Sequence, residues 1–110
     1  PSRACLASRF VYGEAITEEK LSMVERAETL LSDLGFGQVR VRIHGTMARI
    51  EAMPEEIARL TQHAVRERIA AALRSYGFTY VTLDLQGYRT GSMNEVLETI
   101  AETGERENDG

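Results

Sequence analysis

Gln38-Val39-Arg40-Val41-Arg42-Ile43-His44-Gly45-Thr46-Met47-Ala48-Arg49-Ile50-Glu51-Ala52 is the stretch on which the fold turns. Val39, Val41 and Ile43 fall on one side of an extended chain and Arg40, Arg42 and His44 on the other, because successive strand side chains point to opposite faces. Gly45-Thr46 supplies a two-residue turn. Beyond it, Ala48, Ile50 and Ala52 alternate with Arg49 and Glu51. Two alternating runs around a Gly-containing turn read as a β-hairpin with one apolar and one charged face.

An apolar sheet face needs helices to cover it, and the flanking segments supply them. Before the hairpin, Leu21, Val24, Ala27, Leu31 and Leu34 recur at helical spacing. Thr17 is a good N-cap followed by Glu18 and Glu19, Ile16 and Leu21 predict a hydrophobic staple, and Gly35 a C-terminal cap. After the hairpin, Met53-Pro54-Glu55-Glu56 opens a second helical region, with Pro54 tolerated in its first turn. Ile57, Leu60 and Ala64 fit one stripe; Val65, Ile69, Ala72, Leu73 and Tyr76 fit a shifted one. This predicts one kinked helix or two short ones, ended at Gly77. Residues 79–86 alternate as a third strand with Val81, Leu83 and Leu85 inward.

The pattern repeats. Leu34-Gly35-Phe36 returns as Tyr76-Gly77-Phe78, and the trio Val39, Val41, Ile43 returns in step as Val81, Leu83, Leu85. The fold class is therefore α+β: a small α-β-β-α-β two-layer sandwich, with a three-stranded sheet and helices on one face. The path from second to third strand is a crossover, expected to be right-handed. Residues 1–15 read as an N-terminal loop with a turn at Gly13. Residues 16–102 form one domain that ends in a short helix, 93–102, capped by Ser92; 103–110 form a polar, disordered tail.

With 110 residues, 43% hydrophobic and 27% charged, the composition is that of one ordinary soluble domain. A net charge of −4 argues against a general nucleic-acid binder, and Tyr80 alone gives the strands too few aromatics for RNA bases to stack on. No apolar run is long enough to span a bilayer, and residues 1–9 have no signal-peptide core. The opening Pro1-Ser2-Arg3, without Met, reads as an excised segment.

Chemistry gathers at three places. Cys5, the single cysteine, excludes an internal disulfide framework and fits a reducing compartment. It sits in Ala4-Cys5-Leu6-Ala7-Ser8-Arg9, where a neighbouring arginine favours the reactive thiolate. Taken locally, a small packed hydrophobe and a reactive thiol both remain open. The charged sheet face carries Arg40, Arg42, Arg49, Glu51, Thr82, Asp84 and Gln86. Arginine forks suit phosphates and carboxylates. Spacing alone nevertheless favours a solvated face with cross-strand ion pairs, since antiparallel sheets commonly carry one polar side. Gly87-Tyr88-Arg89-Thr90-Gly91-Ser92 could bring backbone N–H groups and a guanidinium to an anion. Neither a P-loop nor a GxGxxG occurs, and His44 and His63 lack metal-ligand spacing.

Cys5-Leu6-Ala7-Ser8-Arg9-Phe10-Val11-Tyr12-Gly13 with Ile16–Leu21, the hairpin from Gln38 to Glu51, and Tyr80–Asp84 with residues 87–94 together resemble the C-terminal portion of the ATP-dependent sacrificial sulfur transferases (LarE) of the PP-loop ATP pyrophosphatase superfamily. The resemblance implies an N-terminal PP-loop domain that uses ATP and Mg to adenylylate a carboxylate of a pyridinium mononucleotide, a step in making the nickel-pincer cofactor of lactate racemase. Cys5 would be the sulfur donor, left as dehydroalanine. Ser8 and Arg9 would sit beside it, and Arg40, Arg42, Glu51 and Arg89 would form the substrate- and phosphate-binding region. The parent is expected to be cytoplasmic and homo-oligomeric. Some relatives hold an iron–sulfur cluster with three cysteines instead; this chain supplies one. Val11, Ile43 and Thr46 depart from the family pattern, so the turn after Arg42 could differ in shape. The Ser-Gly-Gly signature of the PP-loop is absent from these residues, so this piece is expected to bind no ATP or Mg itself and to be inactive alone. The contrasting reading is a non-catalytic interaction or oligomerisation module that docks through its arginine-rich face. The two differ at Cys5. A donor must be reachable by solvent and near the arginines, and the missing neighbour domain predicts that it lies in a loose N-terminal stretch.

Overall fold

The structure, a computed structural model, describes residues 3–88. Arg89, the helix expected over 93–102 and the tail over 103–110 lie outside them. The elements run α1 (Arg3–Leu6), α2 (Glu18–Asp33), β1 (Val39–His44), β2 (Met47–Ala52), α3 (Ile57–Leu60), α4 (His63–Ser75) and β3 (Tyr80–Leu83). Short 3-10 turns follow α1 (Ala7–Arg9) and precede α3 (Pro54–Glu56). Helices and a three-stranded sheet ordered β1-β2-β3 give the expected α+β architecture. Among the described residues no helix is long and apolar enough to cross a membrane.

The hairpin forms in the register its pattern demands. Val41 faces Ile50, Ile43 faces Ala48 and Arg40 faces Glu51, antiparallel. Gly45 takes φ +62 while Thr46 keeps a negative φ, the combination of a II′ turn, whose twist matches that of the strands. β3 then lies parallel to β2, with Val81 beside Ala48 and Leu83 beside Ile50. One sheet face thus gathers Val41, Ile43, Ala48, Ile50 and Ala52, all buried, against Leu31, Phe36, Leu73 and Phe78 from the helices and their ends.

Both helix ends use the same device. Leu34 is the C-cap of α2; Gly35 follows at φ +99, its N–H on Ser32 O, and the Phe36 N–H reaches back to Leu31 O. After α4, Gly77 at φ +119 bonds Arg74 O and Phe78 bonds Leu73 O. Each is a Schellman closure, with a buried Phe–Leu pair sealing it. The sequence repeat is therefore a repeated way of ending a helix and turning into a strand.

Three expectations need correction. Residues 3–9 are not loop: they wind into α1 and a 3-10 turn, because Leu6 is buried in the core and fixes them. Of the two forms expected for the second helical region, the two-helix one is found, broken at Thr61-Gln62, where Gln62 is extended. Ile16 stays 53% exposed; the Thr17 hydroxyl, accepting from the Lys20 N–H at 3.1 Å, starts α2 instead of a staple. The third strand stops at Leu83, and Leu85, expected inward, is 83% exposed. Asp84 ends it: its side chain accepts from the Gln86 N–H and its carbonyl from the Gly87 N–H, so the chain turns away from the sheet.

Candidate functional site

The charged sheet face and the Cys5 turn come together at β1. Phe10 bridges to Ile43 along the outer edge of β1, so the chain just after the Cys5 turn runs beside that strand. Cys5 itself is exposed and outside any disulfide. Its carbonyl accepts from the Ser8 hydroxyl at 2.7 Å and from Arg9 Nη1 at 3.4 Å; Arg9 Nη1 also donates to Ser8 Oγ at 2.8 Å. The turn is thus ordered, not the loose stretch expected, because both its backbone and its arginine are held.

What holds Arg9 is Glu28 on α2. Arg9 Nε donates to Oε2 at 2.6 Å and Nη2 to Oε1 at 3.1 Å, a two-pronged pair. Both side chains are largely buried. Oε2 also accepts from the Val41 N–H at 2.9 Å, which satisfies an amide on the edge of β1. The Glu28 hydrogen bond pushes the Arg9 pKa up and outweighs desolvation, and Glu28, Tyr88 and Cys5 add electrostatic support. Arg9 is therefore a fixed positive charge within electrostatic reach of the Cys5 sulfur.

The second anchor is Arg42. Its Nη1 donates to the Ser8 carbonyl at 2.8 Å and its Nε to Glu51 Oε1 at 3.2 Å. Arg49, directly opposite Arg42 in the hairpin, donates to Glu51 Oε2 at 3.1 Å. Like charges facing each other across a sheet repel, and Glu51 between them cancels that repulsion. Arg49 Nε also lies 3.9 Å from Asp84. Arg40 is stacked on the Tyr88 ring, 4.7 Å from its centroid.

Of the residues singled out from sequence, Cys5, Ser8, Arg9, Arg42 and Glu51 thus form one connected network, and Arg40 stands on the same sheet face. Arg89 lies outside the described residues. Sequence reasoning missed Glu28. Its signal was available: Glu28 falls four residues after Val24 and three before Leu31, on the apolar stripe, where an acid needs a partner. Tyr88 was noted without its partner.

Among the described residues no three His, Cys, Asp or Glu side chains are grouped to hold an ion. His44 Nε2 is buried without a partner, and desolvation, helped by Arg49, lowers its pKa. His63 opens α4 on the surface. A groove of about 320 Å³, between α4 and β3, is lined by Leu60, Ile69, Val81 and Leu83 on the helix-covered side, and none of the site residues lines it.

No family model matches the chain. It is 50% identical over 97 residues to an uncharacterized protein of Synechocystis, covering 88% of this chain and 36% of that protein. It is 47% identical over 93 residues to the pyridinium-3,5-bisthiocarboxylic acid mononucleotide synthase of Lactiplantibacillus plantarum, covering 84% and 33%. An uncharacterized protein of Methanocaldococcus jannaschii is 30% identical over 90 residues, covering 82% and 34%. The chain spans about one third of the length of these curated relatives. Over that third, consistent with a C-terminal domain, the chain belongs to the LarE family of the Lactiplantibacillus synthase.

Proposed function

We propose that this chain is the sulfur-delivering domain of an ATP-dependent sulfur transferase acting on a pyridinium mononucleotide carboxylate, with Cys5 as the donor. The observation that supports it best is the Cys5 turn: an exposed cysteine in a turn held by two arginines, Arg9 on the Cys5 carbonyl and Arg42, from the charged face of the sheet, on the Ser8 carbonyl. The related synthase acts in the same direction, since its name describes a bisthiocarboxylic acid product.

On this reading ATP and Mg²⁺ belong to a PP-loop domain elsewhere in the parent chain, because no phosphate-cradling loop occurs among these residues. There the substrate carboxylate attacks the α-phosphorus of ATP, and pyrophosphate leaves. The Cys5 thiolate then adds to the acyl carbon of the adenylate and AMP departs, which gives a thioester. A base takes the Cys5 Cα proton, the Cβ–S bond breaks, and the sulfur stays on the substrate as a thiocarboxylate. Residue 5 becomes dehydroalanine, so each chain serves once. Arg9 favours the thiolate. Ser8, Arg42 and Glu51 hold the turn against the sheet, while Arg40 and, beyond the described residues, Arg89 meet the phosphate. A cytoplasmic homo-oligomer is the setting this chemistry suggests.

The test is intact mass spectrometry of the full-length protein after incubation with ATP, Mg²⁺ and the carboxylated pyridinium nucleotide. The expected result is a loss of about 34 Da, one H₂S, mapped to Cys5 and absent in Cys5→Ala. Sulfur delivered with no change of mass overturns the donor role.

A further inference from the structure

Three arginines share the charged sheet face, and two of them are already engaged. Arg42 spends Nε on Glu51 and Nη1 on the Ser8 carbonyl. Arg49 spends Nη2 on Glu51 and leans on Asp84. Arg40 differs. Among the described residues it forms no ion pair, and its guanidinium stands over the face of the Tyr88 ring. A guanidinium stacked on a ring keeps its N–H donors in its own plane, open to an anion.

The chain is built to bring that ring there. Gly87 takes φ +79, and a Cβ on it would stand 2.5 Å from the Ala52 carbonyl oxygen, so only glycine fits. Its N–H is held by Asp84 O, and the next N–H, of Tyr88, is held by Ala52 O at the end of β2. The turn after β3 is therefore pinned to the very end of the sheet where Arg40 pairs with Glu51. Tyr88 also adds a small electrostatic contribution to the Arg9 charge.

We infer that Tyr88 is a positioning residue: its ring holds the Arg40 guanidinium edge-on to the site, and Arg40 so held receives the phosphate of a pyridine mononucleotide. This rests on the function proposed above and adds the residue that orients its anion-reading arginine. The stack supplies orientation, so the ring matters and the hydroxyl does not.

The experiment uses the full chain, isotope-labelled, titrated with nicotinic acid mononucleotide and, separately, with nicotinic acid riboside, which lacks the phosphate. Binding is read at the Arg40 and Arg42 side-chain Nε–H signals. The expected result has three parts. The mononucleotide perturbs Arg40 and binds more tightly than the riboside. Tyr88→Leu weakens the mononucleotide by about five- to ten-fold, the size of a partly desolvated cation–π contact. Tyr88→Phe stays within about two-fold of wild type, and the riboside is indifferent to both changes. If wild type prefers the mononucleotide and Tyr88→Leu matches it, the positioning role fails and the phosphate site stands. A Tyr88→Phe loss equal to that of Tyr88→Leu overturns the stacking argument. If wild type binds both ligands equally, or neither, the phosphate reading fails and the inference fails with it.

Discussion

Arg9 and Glu28, 19 residues apart in the chain, meet through two hydrogen bonds of 2.6 and 3.1 Å in a largely buried pair that also takes the Val41 N–H. One carboxylate thereby ties three elements: the turn after α1, helix α2 and the edge of β1. Removing one partner of a buried pair strands the other without solvent, which costs more than the intact pair contributes.

Glu28→Ala is accordingly expected to destabilise the fold by about 3–5 kcal/mol, since it strands both Arg9 and the Val41 amide. Glu28→Gln keeps one bond to each and is expected to cost about 1–3 kcal/mol. Urea denaturation followed by circular dichroism measures both. Equal losses for the two variants would show that the charge, and not the acceptor, is what matters.

The paired Schellman closures make a second expectation. Gly35 and Gly77 sit at φ +99 and +119, where a side chain is strained. A Cβ at Gly35 meets the Arg59 guanidinium at 3.4 Å, and one at Gly77 meets Met23 Sδ at 3.3 Å, both ends of flexible side chains. Each Gly→Ala change is expected to cost about 1–2 kcal/mol through the backbone alone, and nearly the same amount in both places. Denaturation midpoints of the two variants test this; a much larger loss at one would mean that packing, not conformation, dominates there.

Among the described residues, two groups with lowered pKa values shape the acid side of the stability curve. Burial, reinforced by Arg49, lowers the His44 pKa, so the unfolded chain binds its proton first. Stability is then complete above about pH 6.5 and declines as pH falls toward the lowered value. The Glu14 carboxyl is lowered by the Lys20 hydrogen bond and then by the Gly45 N–H. Its contribution is complete above about pH 4.3 and is lost as pH falls through the lowered value. His44→Gln should flatten the curve just below pH 6.5, and Glu14→Gln only in the lower step. Denaturation midpoints across a pH series separate the two; a His44→Gln curve parallel to wild type overturns the first assignment.

What the sequence made legible follows from range. The hairpin, the Thr17 cap and the two Gly-Phe closures are set within a few residues, and each was readable there. The turns over residues 3–9 were not, because their order comes from Leu6 entering the core and from Glu28, far along the chain. The end of β3 was misjudged because alternation continues through Leu85 while the Asp84 side chain has already turned the backbone. At the site, Cys5, Ser8, Arg9, Arg42 and Glu51 converge as a group, yet the partner that fixes Arg9 is an acid on an apolar stripe. The partner that stacks on Arg40 is a tyrosine from another element. Neither pairing leaves a local pattern.

Both recorded bonds to Cys5 from Ser8 and Arg9 are made to its carbonyl oxygen, and neither uses the sulfur. Neither of those two bonds depends on the side chain that the turn displays. On the function proposed here, a chain that had given up its sulfur would keep those two fastenings, so the spent and unspent proteins would present much the same outline to a partner. Telling one from the other would then be a matter of chemistry at a single carbon, and the protein would resemble a cartridge whose casing outlasts its charge.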